Sequence, residues 1–238
     1  QAEDGIRDDL VTGVQTCALP IYWLEPVDPV SGQVTVGAGT TVAAVHDHVG
    51  EAGWAYGVDL TARDSATIGG NLATNAGGIR VLAYGMTRAQ VVGVEAVLPD
   101  GSVISRLGGL LKDNTGLDLA GVLCGSEGTL GIITAARLRL HRPHGRTSVA
   151  LVGCSGIDDS LEIMVSALRG RVVAAEVMDS VSMSLVEKVA GLPHPVQGQH
   201  AYYALLEVAD GGTGDGFVEQ VLNERDVAVG CDASDVQR

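Results

Sequence analysis

The sequence predicts an α+β fold, and three local patterns predict it. Residues 33–37 alternate as a strand does, and residues 42–52 carry valines at 42, 45 and 49 behind a Thr-Thr pair, as a capped helix does. Pro99-Asp100-Gly101 then separates two apolar runs in the manner of a hairpin turn.

Taken in order, residues 33–37 form the first strand. Thr40 and Thr41 supply a hydroxyl cap for the helix over 42–52, and Gly53 supplies its stop. Residues 54–64 read as a loop leading into a glycine-rich stretch, residues 67–78, itself read as a loop. Residues 91–98 and 102–105 flank the hairpin turn. Residues 130–140 make a long strand in which Arg137, Leu138, Arg139 and Leu140 alternate, leaving one face to solvent. His141-Arg142-Pro143-His144-Gly145 brackets a composition shift with Pro and Gly, and the domains are cut there, as 22–142 and 143–238. Beyond the cut come a strand over 149–153, a helix over 158–168, a strand over 172–178, a helix over 182–190 and a strand over 201–208. The glycine-dense residues 211–216 read as a flexible loop.

Composition excludes several functions. Hydrophobic residues make up 46% of 238, ordinary for a globular protein. Apolar runs such as residues 91–98 fall well short of the length that crosses a bilayer, so no transmembrane segment is expected. The net charge of −14, with lysine only at Lys112 and Lys188 and no basic block, argues against nucleic acid and anionic membrane surfaces as partners. Cys124, Cys154 and Cys231 form an odd set without Cys-x-x-Cys spacing, which points to neither a disulfide framework nor a zinc or iron–sulfur site. The cytoplasm is the expected compartment.

The chemistry is concentrated in Thr67-Ile68-Gly69-Gly70-Asn71-Leu72-Ala73-Thr74-Asn75-Ala76-Gly77-Gly78. Four glycines permit close backbone approach to a ligand, and Asn and Thr add neutral donors. Consecutive exposed N–H groups in such a loop would make an anion-holding concavity suited to a pyrophosphate and the polar edge of a flat ring. The plainer alternative is a cluster of turn residues. Ser65 is a further donor just upstream. A second stretch, Gly125-Ser126-Glu127-Gly128-Thr129-Leu130-Gly131-Ile132-Ile133-Thr134, places one carboxylate among small and apolar residues. Glu127 is positioned either to accept from a ribose hydroxyl or to tie its own loop together.

These two stretches, with Lys112-Asp113-Asn114-Thr115-Gly116-Leu117-Asp118-Leu119 between them, resemble the FAD-binding (PCMH-type) domain of vanillyl-alcohol-oxidase-type flavoproteins. Among these they look most like the D-lactate, glycolate and D-2-hydroxyglutarate dehydrogenase branch. The resemblance is strong from about Gln33 to Pro143 and weaker beyond. It implies the second part of an FAD-binding domain followed by the start of an α+β FAD-linked oxidase C-terminal substrate domain. It implies FAD contacts from Thr67, Gly69, Gly70, Asn71, Thr74, Gly77 and Gly78. The residues themselves add Ile68 within the stretch, Ser65 as a donor beside it, Glu127 as an acceptor, Gly128 and Gly131 for close approach, and Ile132 and Ile133 as apolar cover. The implied activity is oxidation of a small D-2-hydroxy acid, with hydride passing from Cα to flavin N5 and electrons continuing to an unidentified acceptor. A sugar or alcohol oxidase of the same superfamily, or a non-catalytic flavin-binding remnant, are the alternatives.

Some residues are assigned no chemistry. Lys112, Asp113 and Asn114 read as a structural turn. Arg80, Tyr84 and Arg88 follow the glycine stretch in a pattern seen in relatives; the arginines read as helix-surface or loop anchors, with a role near the substrate or the flavin edge as the alternative. Ala89 stands where an acidic residue often follows the arginine in relatives. His46 and His48, two apart on one helix, face different ways, and none of His141, His144, His194 or His200 stands in a metal or triad pattern. Neither a catalytic base nor a metal site is expected in this chain. Residues 1–21 resemble a translated sequencing adapter and are set aside, Cys17 included. Relatives carry a first glycine-rich pyrophosphate segment upstream and a histidine-bearing substrate domain downstream. The sequence therefore reads as a fragment expected to bind FAD poorly and to turn nothing over.

Overall fold

A computed structural model describes residues 21–145, 147–168, 172–209 and 227–230. Contacts divide the chain into two units, the boundary falling between Pro143 and His144.

In the first unit, β1 (Gln33–Gly37) is followed by α1 (Val42–Glu51). The Thr41 hydroxyl accepts the Ala44 N–H at 3.2 Å, satisfying one of the amides left over at a helix start, and Val42, Val45 and Val49 are buried. A short β2 (Ala55–Tyr56) precedes α2 (Ile68–Thr74), α3 (Val81–Tyr84) and α4 (Thr87–Gln90). The hairpin β3 (Val91–Val97) and β4 (Val103–Arg106) turns at Gly101, whose φ of 85° suits glycine. α5 (Leu119–Leu123) and the long β5 (Ile132–His141) complete the unit. Its antiparallel sheet runs β1-β5-β3-β4, with β2 pairing the far end of β5.

The core fills the space between this sheet and the helices. Val34, Val36, Val94, Ala96, Ala136 and Leu138 from the strands meet Val42, Val45, Val49, Ile68 and Leu72 from α1 and α2. Ile21, last of the residues set aside above, packs on this core, and its carbonyl accepts the Gly39 N–H at 3.2 Å. Trp23, Leu24 and Asp28 follow it along β1.

Two expectations about loops are corrected here. Residues 54–64 contain β2, paired with Leu140 and His141. The stretch over 67–78, expected as a loop throughout, opens with a helix. Thr67 caps it and Asn75, at φ 51° and ψ 51°, ends it. Glycine is a poor helix former, but Ile68 and Leu72 are fully buried one turn apart, and that packing decides the local structure.

The second unit is a four-stranded antiparallel sheet in the order β7-β8-β6-β9, built from β6 (Thr147–Cys154), β7 (Val172–Asp179), β8 (Tyr202–Ala209) and β9 (Val227–Gly230). α6 (Ile157–Ala167) and α7 (Ser180–Ala190) follow β6 and β7. Ala150, Val152 and Cys154 of β6 pack with Ile163 and Ala167 of α6, while Leu151 belongs with Met183 and Tyr203 in a second cluster. That alternation is what a strand covered on both faces requires. Residues 211–216, expected to be a flexible loop, lie outside the described residues.

Candidate functional site

The two glycine-rich stretches meet. A helix of seven residues leaves its last carbonyls with spare acceptor capacity, even where the Asn75 N–H of its own cap reaches Leu72 at 3.0 Å. Those of Leu72 and Ala73 accept the N–H groups of Gly125 and Glu127, both at 2.8 Å. Gly125 sits at φ 83° and Glu127 at φ 50°. The left-handed conformation is strained for a glutamate, and its amide bond to Ala73 is among the contacts that hold it. Neighbouring bonds extend the junction. The Asn75 carboxamide oxygen accepts the Arg88 N–H at 3.0 Å and the Cys124 thiol at 3.6 Å. The Arg88 guanidinium donates to the carbonyls of Gly121 and Cys124, and the Thr87 N–H and hydroxyl both donate to the Ala76 carbonyl. Burial pushes the Cys124 thiol above its usual range, against the opposing pull of Arg88, so it stays protonated and serves as a donor.

The expected concavity of free amides is not where the sequence suggested. At the start of α2, the N–H groups of Ile68 and Gly69 donate to the carbonyls of Thr40 and Ala38. Those of Gly70 and Asn71 go to the Thr67 hydroxyl and carbonyl. All four are used, because the helix is seated directly on the end of β1. Gly69 has a packing reason as well: a Cβ there would lie 2.8 Å from the Ala38 methyl.

Other donors remain. The buried Asn71 Nδ2 and Ser126 Oγ have no partner. Among the described residues, the amides of Gly77, Gly78 and Gly128 donate to nothing. Glu127 is exposed, and its carboxylate ties no part of its own loop, the role being taken by its N–H.

The remaining sequence-derived candidates divide. Thr74 is exposed, its hydroxyl donating back to Gly70 at 2.9 Å, and Ser65 is exposed with a weak bond to Ala62. Ile132 is 44% exposed, so its side chain offers apolar surface. Ile68 and Ile133 are in the core and offer none, because a strand alternates its faces and a helix buries one stripe. Gly131 packs against the Val97 carbonyl, leaving no room for a Cβ. Gly78 packs on the Asp59 backbone, whose carboxylate lies 3.4–3.9 Å from Arg63, Arg80 and His46. Asn75, Arg88 and Ser126 were not among the predicted site residues. An asparagine ending a short helix is the signal that could have found the first.

Two clefts lie elsewhere. One of about 540 Å³ runs beside β3, lined by Arg106, Arg139 and the 108–120 segment, and no residue of 67–78 lines it. Another of about 440 Å³ in the second unit gathers His194, His200, Tyr203 and Glu187, histidines that sequence spacing kept apart. Among the described residues, no group of three His, Cys, Asp or Glu side chains could hold a metal. No helix there is long and apolar enough to cross a membrane.

A pair of stitched segments presenting buried neutral donors, free amides and one carboxylate suits a ligand rich in acceptor oxygens and ribose hydroxyls. Residues 23–106 match a family described as FAD binding domain. The chain carries an FAD-binding domain. FAD offers phosphate and ring carbonyl oxygens to those donors, and its ribose and ribityl hydroxyls to the carboxylate, so the residues present fit it. The chain carrying this FAD-binding domain is 42% identical over 218 residues to the mitochondrial D-2-hydroxyglutarate dehydrogenase of Bos taurus, covering 88% of this chain and 40% of that protein. It is 38% identical over 191 residues to the D-2-hydroxyglutarate dehydrogenase of Xanthomonas citri pv. viticola, covering 79% and 40%. The fold is shared with alkyldihydroxyacetonephosphate synthase, at a TM-score of 0.70 and 17% identity over 91% of this chain and 43% of that one. The chain thus spans about two fifths of the length of the curated relatives it matches.

Proposed function

We propose that this chain supplies part of the FAD cradle of an oxidoreductase that oxidises a small D-2-hydroxy acid. The junction of residues 67–78 with residues 125–133 is the observation that carries the reading. It leaves Asn71 Nδ2 and Ser126 Oγ buried without protein partners, a state that costs about 1–3 kcal/mol per group unless a ligand accepts from them. In this reading Asn71, Ser126 and the amides of Gly77, Gly78 and Gly128 bind oxygens of the cofactor. Glu127 accepts from a hydroxyl, Thr67, Thr74 and Ser65 line the approach, and Ile132 covers ring surface. Gly69, Gly70 and Gly131 let backbone approach backbone, and Ile68 and Ile133 hold the strand and helix that present the rest. FAD supplies the acceptor of the hydride when bound, and this chain's residues orient it and exclude water.

Similarity to D-2-hydroxyglutarate dehydrogenases supports a carboxylate-bearing D-2-hydroxy acid as substrate. In this reading residues 143–238 begin the domain that faces it, and the acceptor of the electrons is a second partner. The charge and cysteine pattern suit the cytoplasm, whereas the bovine relative is named as mitochondrial; fractionation of the source cells decides between them.

The test is an FAD titration followed by flavin fluorescence, then anaerobic addition of D-2-hydroxyglutarate, D-lactate, their L-enantiomers and glucose. Saturable binding, with bleaching by a D-acid alone, is expected of the protein that contains the whole cradle. Bleaching by glucose instead would favour the sugar-oxidase reading, and no binding at any concentration would overturn the cofactor assignment.

A further inference from the structure

We infer that Arg88 is a positioning residue that locks the two FAD segments into one cradle, acting through the backbone and not by touching the cofactor. The inference rests on the FAD reading above. Its basis is a set of bonds that converge from three elements. The Arg88 N–H holds the Asn75 side chain, which ends α2. The Arg88 guanidinium forks to the carbonyls of Gly121 and Cys124, both at 2.5 Å, at the C-terminal end of α5. Helix C-termini carry partial negative charge and unpartnered carbonyls, and a planar guanidinium answers both with two directed donors. One residue further on, the Gly125 N–H reaches back to Leu72, and Glu127 follows to Ala73. Arg88 therefore sets where Cys124 ends α5, and so where Gly125, Ser126 and Glu127 lie relative to Asn71.

Gly125 is shaped for the same contact. At φ 83° its missing Cβ would stand 3.2 Å from the Arg88 guanidinium and 3.4 Å from the Asn75 Cβ. A lysine at 88 carries the charge but only a single ammonium, which cannot hold two carbonyls in fixed directions. Charge alone is thus not the function, and fork geometry is.

The experiment compares wild type, Arg88→Ala, Arg88→Lys and Arg139→Ala, the last removing one exposed arginine charge from β5, away from the junction. Amide hydrogen exchange without FAD is read beside the FAD dissociation constant. The expected result is exchange at Gly125 and Glu127 at least tenfold faster in Arg88→Ala, with β5 amides unchanged. FAD affinity falls tenfold or more in Arg88→Ala, Arg88→Lys recovers little of it, and Arg139→Ala behaves as wild type. Unchanged exchange at Gly125 and Glu127 in Arg88→Ala overturns the lock, whether or not FAD binds. Full recovery in Arg88→Lys, or an equal loss in Arg139→Ala, overturns it too, since charge would then suffice. A wild type containing the whole cradle that binds no FAD overturns the cofactor reading and the binding role assigned to Arg88 with it, and the exchange data show separately whether the two segments are locked.

Discussion

Gly77 and Gly78 both belong to the stretch proposed to bind FAD, yet the structure assigns them different burdens before any cofactor binds. A Cβ on Gly78 would overlap the Asp59 carbonyl and lie 2.7 Å from its carbon, both backbone atoms on a segment with no cheap way to retreat. Relief requires moving the chain, which also stretches the Ile79 N–H bond to the same carbonyl, now 3.1 Å. Overpacking costs ~1–3 kcal/mol, and the strained hydrogen bond ~0.5–1.5 kcal/mol more. Against this, any Gly→Ala exchange gains about 0.4–1 kcal/mol by narrowing the unfolded ensemble. Gly78→Ala should therefore destabilise by roughly 0.5–4 kcal/mol net, about 2 at the centre of the range. In Gly77→Ala the added carbon meets only side-chain atoms, the Val81 methyl at 3.0 Å and the flexible Met86 at 3.7 Å, and the exchange should fall within about 1 kcal/mol of neutral. Trp23 and Trp54, both in the first unit, report its unfolding in urea without FAD. With a urea slope of about 1–3 kcal/mol per molar, the two midpoints should differ by roughly 1 M. Coincident midpoints would refute the packing argument and leave both glycines explained by the ligand alone.

Further outcomes follow from burial and charge. In a Cys17→Ser, Cys231→Ser background, Cys124 and Cys154 are buried and should resist a thiol reagent at neutral pH until urea unfolds the chain; rapid labelling of the folded protein would contradict this. Asp179 caps α7 by accepting the Ser182 N–H at 2.7 Å, and that bond holds its carboxyl below the usual range. Its contribution to stability is complete above the ordinary aspartate pKa and is lost as pH falls through the lower folded value. Asp179→Asn keeps a cap but should flatten that part of the acid limb, and an unaltered pH profile would count against the assignment.

Much of the fold could be read from local pattern. The strand over 33–37 and the helix beginning at Val42 follow from alternation, a threonine cap and three valines on one stripe. The Pro99-Asp100-Gly101 turn follows from glycine's access to positive φ. The helix inside the glycine-rich stretch could not be read that way. It exists because Ile68 and Leu72 find a sheet to pack on, and no local propensity reports a distant sheet. The same limit applies to the site. That residues 67–78 and 125–133 serve one cofactor is what the family resemblance implies. Which amides are left free depends on Thr40 and Ala38 being near enough to use the others. Arg88 was legible as an anchor, but not what it anchors, since its partners lie 33 and 36 residues away. Ile133 is buried while Ile132 beside it is exposed, and which of the two faces the core depends on register with β3, which the local sequence does not report.

The central claim is that Asn71 Nδ2 is buried without a protein partner because FAD is the partner. Asn71→Leu, of similar volume, tests it in one preparation, with urea unfolding measured without cofactor and FAD affinity measured beside it. The account predicts an unfolding midpoint no lower than wild type, because an unsatisfied donor costing about 1–3 kcal/mol has been removed, together with at least tenfold weaker FAD binding. A clear loss of stability with unchanged FAD affinity would contradict it and make Asn71 a structural residue of the fold.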